Sequence, residues 1–441
     1  MIRDVILLLA LVPFVYYILT LWATSAYLRR NKRTRVSTSK YTPPVSILKP
    51  VRGLDREAYE NFASFCRLDY PEYEILFCVT GFDDPAVPAI EKLQEDFPHR
   101  RIRLLIGAPE YGASGKVNKL CRLVQEAKYD LIVISDSDIR VEANYLQDVA
   151  APLADPKVGA VTVFFRSLIN GSAGATLDAA GSSVDFAAAA LLSQKLEGIH
   201  FTLGATVATT KKHLAEIGGF EGLVNYYVDD HELGNRIARK GYRIELADTP
   251  VSMVYPRETL FQFLRHELRW TIGLRNVRPG GHAAIAFTFG LPWTILATAV
   301  APSAGIAAFY IAAYLVLRFA VYLTVGVGAL QDSVVRRNWW LAPVRDAAIF
   351  CVWVASFFSN QISWRGLEFE VKNGLLIPLS KPQTDNAQFS IELDSSTGEP
   401  EKELEQVIAG SAESKPGMDL AARKADVASF AWRKHAGMGE D

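Results

Sequence analysis

Residues 5–28 carry no charged side chain, and this run limits what the chain can fold into. At about 1.5 Å per residue, a helix over Val5–Leu28 would span about 36 Å, enough to cross a bilayer at a tilt. A cleaved signal peptide has a shorter apolar region of about 7–15 residues, although the small residues at 23–26 resemble a cleavage site. A basic cluster without acids follows directly: Arg29, Arg30, Lys32, Arg33 and Arg35. Because such clusters stay in the cytoplasm, we expect an anchor over residues 1–28, a basic linker over 29–44 and a cytoplasmic domain after it.

A second apolar region begins near residue 283. From Ala283 to Leu330 the only charged residue is Arg318, and a Pro-Ser pair divides the run. Two membrane spans fit this pattern by length, one over about 283–301 and one over about 304–328. The chain is therefore predicted to be a multi-pass membrane protein with the domain between these apolar regions in the cytoplasm.

A third apolar run, over about 341–363, is interrupted by Arg345 and Asp346. Its uncharged part is short, so a short span, a re-entrant helix and an interfacial helix all remain open. We expect membrane or re-entrant helices to occupy 281–363 and a juxtamembrane segment to occupy 364–380. The pattern leaves the number of spans undecided, and with it the side of the membrane on which the following residues lie.

The overall composition excludes some classes of protein. Lys and Arg together number 47 against 48 for Asp and Glu, so the chain is not a basic nucleic-acid binder. The four cysteines have neither metal-ligand nor disulfide spacing, which suits a reduced, cytosol-facing domain. Residues 381–441 are acidic and poor in large apolar groups, so they are predicted to be a disordered tail.

The segment 45–280 alternates apolar runs rich in β-formers with helical patterns. Short continuous apolar strands separated by helices predict an α/β fold with a mostly parallel sheet covered on both faces. In such a sheet, ligands bind beyond the carboxyl ends of the strands. The predicted strands are 45–51, 73–80, 102–106 and 131–135, and the predicted helices are 56–67, 86–96 and 115–128.

Acidic side chains follow three of these strands, and Asp55 comes after the first. Asp83 and Asp84 come after the second, where a turn with a helix cap is an equally good interpretation. Asp136 and Asp138 come directly after the fourth and point the same way on an extended chain. Two converging carboxylates repel each other unless a cation lies between them or one is protonated. Because Mg²⁺ and Mn²⁺ prefer oxygen ligands and also bind phosphate, the pattern predicts a site for a divalent cation and a diphosphate.

Two more segments carry candidate site residues. Lys116 opens a predicted helix after a Gly-Ala-Ser-Gly stretch, but Glu110 and Val117 depart from the P-loop pattern. A lysine at a helix N-terminus can still bind a diphosphate, or it can simply be solvated. Asp229 and Asp230 open another amphipathic helix, where two adjacent acids exceed what a helix cap needs.

A basic and aromatic segment precedes the second apolar region. Arginines at 265, 269, 275 and 278 alternate with phenylalanine, leucine and Trp270. This pattern favours a helix lying on the membrane surface just before a span, although an ordinary basic helix would share it.

Taken in order, these motifs resemble those of membrane-bound inverting glycosyltransferases with a GT-A fold, and above all the ceramide glucosyltransferase family. The resemblance extends over about residues 5–375. It rests on the sequences VSILKPVRGLD, LDYPEYEILFCVTGFDDPA and YDLIVISDSDIRV, and on His266-Glu267-Leu268-Arg269-Trp270, which is similar to the family's (Q/R)xxRW. A DxD motif after a buried strand marks enzymes that use nucleotide-sugars. His266 stands where the family has Gln or Arg, and residues 166–203, expected to shape the acceptor pocket, match the animal enzymes least.

The resemblance, to a bacterial-type member of the family, implies a location in the bacterial inner membrane with the catalytic domain in the cytoplasm. It also implies a function and a set of roles. Transfer of glucose from UDP-glucose to ceramide is the implied reaction, with a GT-A domain over 45–280 and a divalent cation, Mg²⁺ or Mn²⁺, as cofactor. The implied donor-site residues are Asp83, Asp84, Lys116, Asp136 and Asp138, with the last two also holding the metal. The implied catalytic residues are Asp230 as base, Asp229, Arg269 and Trp270.

Other functions share these motifs. Bacterial relatives glycosylate hopanoid polyols, with glucose or N-acetylglucosamine as the sugar, and are similar over the same segments. A processive polysaccharide synthase needs more spans to build a pore. A soluble-sugar or sterol-like acceptor would change only the acceptor pocket, and a catalytically silent scaffold would not need the acidic residues. In every active case the partners are a nucleotide-sugar and the bilayer, and not a nucleic acid.

Overall fold

The computed structural model describes residues 1–34, 41–169, 171–364 and 366–379, with no side-chain placement for 31–34 and 182. The predicted tail at 381–441 and Arg35 of the basic linker lie outside these residues. The described strands are β1 (Val45–Pro50), β2 (Tyr73–Val79), β3 (Arg101–Ile106), β4 (Leu131–Ser135), β5 (Ile139–Arg140), β6 (Val158–Thr162), β7 (Phe165–Leu168), β8 (Thr206–Thr210), β9 (Arg243–Leu246), β10 (Val251–Val254), β11 (Gln361–Trp364), β12 (Leu367–Lys372) and β13 (Leu375–Pro378).

The described α-helices alternate with these strands and then form the membrane region. They are α1 (Ile2–Leu9), α2 (Val12–Thr34), α3 (Ala58–Cys66), α4 (Val87–Asp96), α5 (Gly115–Glu126), α6 (Tyr145–Ala150), α7 (Ala173–Leu196), α8 (Lys211–Glu216), α9 (Asp229–Arg239), α10 (Leu260–Val277), α11 (Pro279–Ala284), α12 (Gly290–Val300), α13 (Ala304–Val321), α14 (Ser333–Asn338) and α15 (Ala342–Ala355). A π-helical turn, Tyr322–Ala329, continues α13.

Seven strands form the central sheet in the order β3-β2-β1-β4-β8-β6-β9. Strand β1 pairs in parallel with β2 and β4, and β2 pairs in parallel with β3, whereas β8 is antiparallel to both of its neighbours. Every residue of β1, β2 and β4 is buried, as expected for strands covered on both faces. The predicted α/β fold with a mostly parallel sheet is thus confirmed, and the carboxyl ends of β1, β2 and β4 lie at one edge.

Apolar helices attach this domain to a membrane. Ile2–Arg30, Ala304–Ala329 and Ser333–Phe358 are long and apolar enough to cross a bilayer. Pro279–Phe287 and Gly290–Val300 form a further candidate that is bent by 43°. These segments make the chain a membrane protein.

A small antiparallel sheet of β11, β12 and β13 follows the last apolar helix. Residues 361–363, which the sequence pattern included in an apolar run, therefore begin a strand. The Tyr227 amide donates to the Gly374 carbonyl (2.9 Å), and the Leu376 amide donates to the Asn225 carbonyl (2.8 Å). Because this sheet contacts the central domain, both lie on the same side of the membrane. The chain between Val277 and Gln361 must then cross the membrane an even number of times. The bent pair, Ala304–Ala329 and Ser333–Phe358 are therefore not all full crossings.

Helix α7 joins the central domain to the membrane helices. It is rich in alanine, and it packs against α2, α10 and α14. Arg318 of α13 lies 2.6 Å from Asp346 and 2.8 Å from Asp185 of α7. Arg345 of α15 lies 2.8 Å from Glu267 of α10 and is 3% exposed. Charged groups at membrane depth are stable only when paired, so these contacts fix α7, α10, α13 and α15 against one another.

Candidate active site

The carboxyl end of β4 positions the first pair of acids. Beyond Ser135 the chain turns, and the Ile139 amide donates to the Asp136 carbonyl (3.4 Å). The Ser137 hydroxyl donates to the Asp55 carboxylate, which ties the turn to the loop after β1. The Oδ1 atom of Asp138 is buried and has no hydrogen-bond partner within the described residues. A buried carboxylate oxygen without a partner is costly, so this atom fits a ligand position for a hard divalent cation.

A fully buried lysine lies beneath this turn. Lys49 is 0% exposed, and its Nζ donates to the Asp136 carbonyl (2.9 Å) and to the Ser135 hydroxyl (3.3 Å). The same Nζ lies 3.6 Å from the centroid of the Phe65 ring. Burial lowers the pKa of Lys49 to about 7, while the charges of Asp136 and Asp138 act in the opposite direction. Lys49 thus holds the backbone of the turn and supplies it with a hydrogen-bond donor.

Lys116 reaches the same turn from the start of α5. Ser114 caps this helix by accepting from the Val117 amide, and the Ser114 amide donates to the Val224 carbonyl (2.8 Å). Lys116 Nζ then lies 2.6 Å from Asp136 Oδ1. Burial alone would lower the pKa of Lys116, but the carboxylates of Asp136, Asp229 and Asp230 outweigh it and raise that pKa.

Asp229 and Asp230 begin α9, close to Lys116. The Thr202 hydroxyl donates to the Asp230 carbonyl (2.6 Å). Gly234 allows the close approach, because a β carbon there would lie 2.3 Å from the Thr202 amide nitrogen. Burial first and then the charge of Asp229 raise the pKa of Asp230 to about 7. Burial also raises the pKa of Asp229, and Lys116 lowers it. A carboxylate whose pKa lies near neutrality is suited to accept a proton from a hydroxyl group.

Gly204 lies between the two acidic segments. A β carbon on Gly204 would lie 3.0 Å from Asp230 Oδ2 and 3.5 Å from Asp136 Oδ2. Both carboxylates therefore face the same small space, although Asp136 follows strand β4 and Asp230 lies in the first turn of α9. Burial raises the pKa of Asp138 to about 7, and the charges of Asp136 and Asp55 act in the same direction. Negative charge is thus concentrated at this edge of the sheet.

The two acids after β2 behave differently from each other. The Asp84 carboxylate accepts from the Gly53 amide (3.0 and 3.1 Å) and from the Ala86 amide (3.0 Å). It therefore caps its own turn and holds the loop after β1. Asp83 is exposed at the same turn.

Helix α10 carries the last group of candidate residues and contacts the segment that precedes α9. The Tyr227 hydroxyl donates to the Arg269 carbonyl (3.2 Å), and a β carbon on Gly273 would lie 2.0 Å from the Tyr227 ring. The Arg269 guanidinium lies 5.9 Å from the centroid of the Trp270 ring, which is exposed. The Tyr227 contact thus ties the backbone of α10 at Arg269 to the segment that precedes Asp229 in the chain.

Several of these residues could not be identified from the sequence. Lys49 lies inside an apolar run that reads only as a strand, and Gly204 has no motif around it. Asp178 lies in alanine-rich α7, yet its carboxylate is 2.8 Å from His266. The sequence offered a signal for Lys49 alone: a charged residue stands within an apolar run that is predicted to be buried.

Similarity to known proteins extends over most of the chain. Glycosyl transferase family 21 matches residues 5–377. Ceramide glucosyltransferase 3 of Caenorhabditis elegans is 28% identical over 284 residues, which cover 60% of this chain and 59% of the relative. Ceramide glucosyltransferase of Komagataella phaffii is 31% identical over 143 residues, which cover 30% of this chain and 28% of the relative. The chain thus spans a little over half the length of the first of these relatives.

Solved structures are matched at lower similarity. A mannosyltransferase, PcManGT from Pyrobaculum calidifontis in complex with GDP-Man and Mn²⁺, is 19% identical with a TM-score of 0.46, covering 79% of this chain and 99% of that one. S. aureus TarS 1-349 is 14% identical with a TM-score of 0.37, covering 75% and 98%. The family match extends over the central sheet and the apolar helices alike. The chain therefore belongs to glycosyl transferase family 21.

Proposed function

We propose that this enzyme transfers glucose from UDP-glucose to the primary hydroxyl of ceramide, with inversion at the anomeric carbon. The observation that carries the proposal is the course of α10, which connects the acidic sheet edge to the membrane helices. The Arg269 carbonyl of α10 accepts from the Tyr227 hydroxyl, two residues before Asp229 in the chain. Helix α11 begins two residues after α10 ends, and α12 follows it. A site joined to the bilayer in this way suits an acceptor whose hydroxyl lies at the headgroup plane.

We assign the donor diphosphate to the edge formed by Asp136, Asp138 and Lys116. A divalent cation bound by the two aspartates would neutralise negative charge on the leaving diphosphate. Lys116, 2.6 Å from Asp136, adds a fixed positive charge at the same place. Asp84 and Asp83 belong to the donor side in this proposal, and Asp84 acts by holding the Gly53 loop.

We assign the acceptor side to Asp230, with Asp229 beside it. The Asp230 carboxylate takes the proton of the acceptor hydroxyl while that oxygen forms a bond to the anomeric carbon. The bond from this carbon to the diphosphate oxygen breaks on the opposite face, so an α-linked donor gives a β-linked product. Arg269 and Trp270 cover the diphosphate and the acceptor from α10.

The tether at both ends of the domain supports a lipid acceptor. Arg30, at the end of the first apolar segment, lies 3.6 Å from Asp248, and α10 leads into the second. A lipid that stays in the bilayer avoids the cost of exposing its acyl chains, about 0.8 kcal/mol per CH₂. The relatives named for ceramide glucosylation make ceramide the first acceptor to test.

The deciding experiment supplies the purified protein with UDP-glucose or UDP-N-acetylglucosamine in mixed micelles. Ceramide, diacylglycerol, a hopanoid polyol and a soluble sugar are offered separately, with D230N as the inactive control. Glucosylceramide detected by mass spectrometry is the expected product. Transfer only to the hopanoid polyol would replace ceramide by the second candidate acceptor. Equal transfer to the soluble sugar would contradict the membrane-plane argument, and polymer formed from donor alone would indicate a processive synthase.

A further inference from the structure

The imidazole ring of His266 lies between a buried acid and an exposed indole. His266 Nδ1 is 2.8 Å from Asp178 Oδ2, and the Trp270 indole nitrogen is 2.9 Å from His266 Nε2. Asp178 comes from α7 and is 1% exposed, whereas the other two residues lie one turn apart on α10. The three side chains form a chain of hydrogen bonds from the interior of the protein to its surface.

The chemistry of the three groups fixes where the protons lie. An indole N–H can only donate, so His266 Nε2 must be the acceptor and cannot carry a proton. The proton of a neutral imidazole is then on Nδ1, from which it is donated to the Asp178 carboxylate. A doubly protonated His266 would direct an N–H toward the indole N–H and break the contact with Trp270.

The same cluster does not have the arrangement of a metal site. Ligand atoms of Asp178, Glu258 and His266 lie within 4.8 Å of one another. Both imidazole nitrogens already have partners, however, and a cation would have to displace Asp178 or Trp270 to reach a lone pair. The geometry is that of a hydrogen-bond relay.

We propose that Asp178 and His266 are positioning residues that orient the Trp270 indole over the substrate site. The proposal rests on the assignment of Trp270 to the glycosyl-transfer site. His266 does not touch the reacting atoms. It acts by accepting the indole proton, and Asp178 acts by holding the imidazole in the tautomer that can accept it.

In the family's (Q/R)xxRW motif, Gln or Arg stands at the position of His266. Glutamine shares with histidine the donor and the acceptor that the relay needs. A glutamine at this position can accept from the indole through its carbonyl oxygen and donate to Asp178 through its amide nitrogen. An arginine can pair with Asp178, but it has no lone pair for the indole. The relay thus predicts that H266Q functions and that H266R does not, even though both residues occur in the motif.

The first test compares the turnover of H266Q, H266R and H266A with that of the wild type, using H99Q as the control. His99 is exposed between α4 and β3 and has no part in the site. We expect H266Q and H99Q to stay within about twofold, and H266R and H266A to lose about tenfold, as for one lost hydrogen bond to a functional group. Equal activities of H266Q and H266R would overturn the relay.

A double-mutant cycle with Trp270 separates positioning from a general structural role. In a W270F background the indole N–H is absent, so changing His266 to Ala or Arg should cost less than about twofold further. If His266 only supported the packing of α10, the full tenfold loss would persist in W270F. That result would refute the proposal even if every variant folds.

The pH profile gives a second readout. Burial lowers the pKa of His266, but the hydrogen bond and charge of Asp178 outweigh it and raise that pKa above its usual value. The other charged groups facing the ring are Arg269 and Glu267 of α10 and Glu258 before it. Because protonation breaks the contact with Trp270, wild-type activity should rise with pH through the His266 pKa. Asp230, as the base, contributes its own rise in activity near pH 7 to every variant. H266Q should lack only the His266 step, and D178N should move that step to lower pH. An unchanged acid limb in both variants would contradict the relay.

The readout is chosen so that the relay and the proposed acceptor can fail independently. All variants are assayed for UDP released by hydrolysis of UDP-glucose as well as for lipid product. If ceramide is not the acceptor, the order H266Q above H266R should still appear in hydrolysis. If ceramide is glucosylated but the two variants are equal, only the relay is refuted.

Discussion

Lys116 Nζ lies 2.6 Å from Asp136 Oδ1, and the charges of Asp229 and Asp230 also raise the pKa of Lys116. One lysine from the start of α5 thereby connects the acids after β4 with those that open α9. In the proposed reaction these acids serve donor and acceptor respectively. The position of Lys116 is therefore where the two halves of the site meet.

Replacing this lysine should weaken donor binding. K116M removes the positive charge that faces the diphosphate, and we expect the KM for UDP-glucose to rise about tenfold or more, with a smaller change in kcat. Initial-rate kinetics over a range of donor concentrations would measure both. K240M is the matched control, since Lys240 is an exposed lysine at the end of α9. An unchanged KM in K116M would remove Lys116 from the donor site.

The proposed base can be tested by an isosteric change. D230N keeps the shape of the side chain but cannot accept the hydroxyl proton, so kcat should fall by about 10²–10⁴-fold while UDP-glucose still binds. Turnover and donor affinity are measured on the same preparation. The control is D155N, since Asp155 pairs with Arg243 at the surface and accepts from the Lys157 amide in its own turn. A kcat for D230N within threefold of the wild type would show that another group is the base.

The raised pKa of Asp230 also predicts an effect on stability. This pKa is about 7 in the folded protein against 3.8 for a free aspartate, so between these values the folded state binds more protons than the unfolded state. Stability therefore falls as pH rises from about 4 to 7, and the cost of the buried charge is fully present above pH 7. D230N removes that cost. We expect D230N to raise the Tm in detergent, and to raise it more at pH 8 than at pH 5. The same gain at both pH values would argue against a raised pKa.

Divalent metal should be required for activity. The buried Oδ1 of Asp138, without a partner in the described residues, and the nearby Asp136 suit a hard cation. We expect chelation with EDTA to abolish transfer and Mg²⁺ or Mn²⁺ to restore it, with D138N needing far more metal for half-maximal rate. Metal titrations of the wild type and D138N would measure this. Full activity after exhaustive chelation would mean that the two aspartates act without a metal.

Gly204 should tolerate no side chain. In G204A the added methyl group would lie 3.0 Å from Asp230 Oδ2, in the space that the donor sugar and acceptor hydroxyl must share in the proposed reaction. We expect kcat/KM to fall by at least tenfold with little change in Tm. G115A is the control, because a β carbon on Gly115 meets nothing within 4 Å and this glycine opens the neighbouring helix. If both variants are equally active, the space beside Gly204 is not used by substrate.

The sequence was sufficient for those parts of the site that follow from one strand or one helix. Asp136 and Asp138 could be predicted because a continuous apolar strand precedes them, and strand ends are where ligands bind. Lys49 and Asp178 could not be predicted. Each is defined by a partner more than 80 positions away in the chain, Asp136 for Lys49 and His266 for Asp178. Local periodicity carries no information on such pairings.

The end of the membrane region shows a second limit. The apolar run over 341–363 was compatible with a span, yet the described helix ends before Gln361 begins a strand. The strands after this helix contact the segment before α9 through β13. A hydropathy pattern gives no information on such a contact. Once that contact is known, both ends of the membrane region must lie on one side.

That contact also sets an order of events during synthesis. The loop of Asn225 and Tyr227, which carries the acids of α9, takes its backbone partners from Gly374 and Leu376, far later in the chain. A ribosome will have released the whole central sheet, and the translocon will have received each of the apolar helices described above, before these partners emerge. The nascent chain therefore cannot complete this loop until its membrane helices have been delivered. An enzyme built in this way gains its full active site only after it has reached the bilayer that holds its proposed substrate.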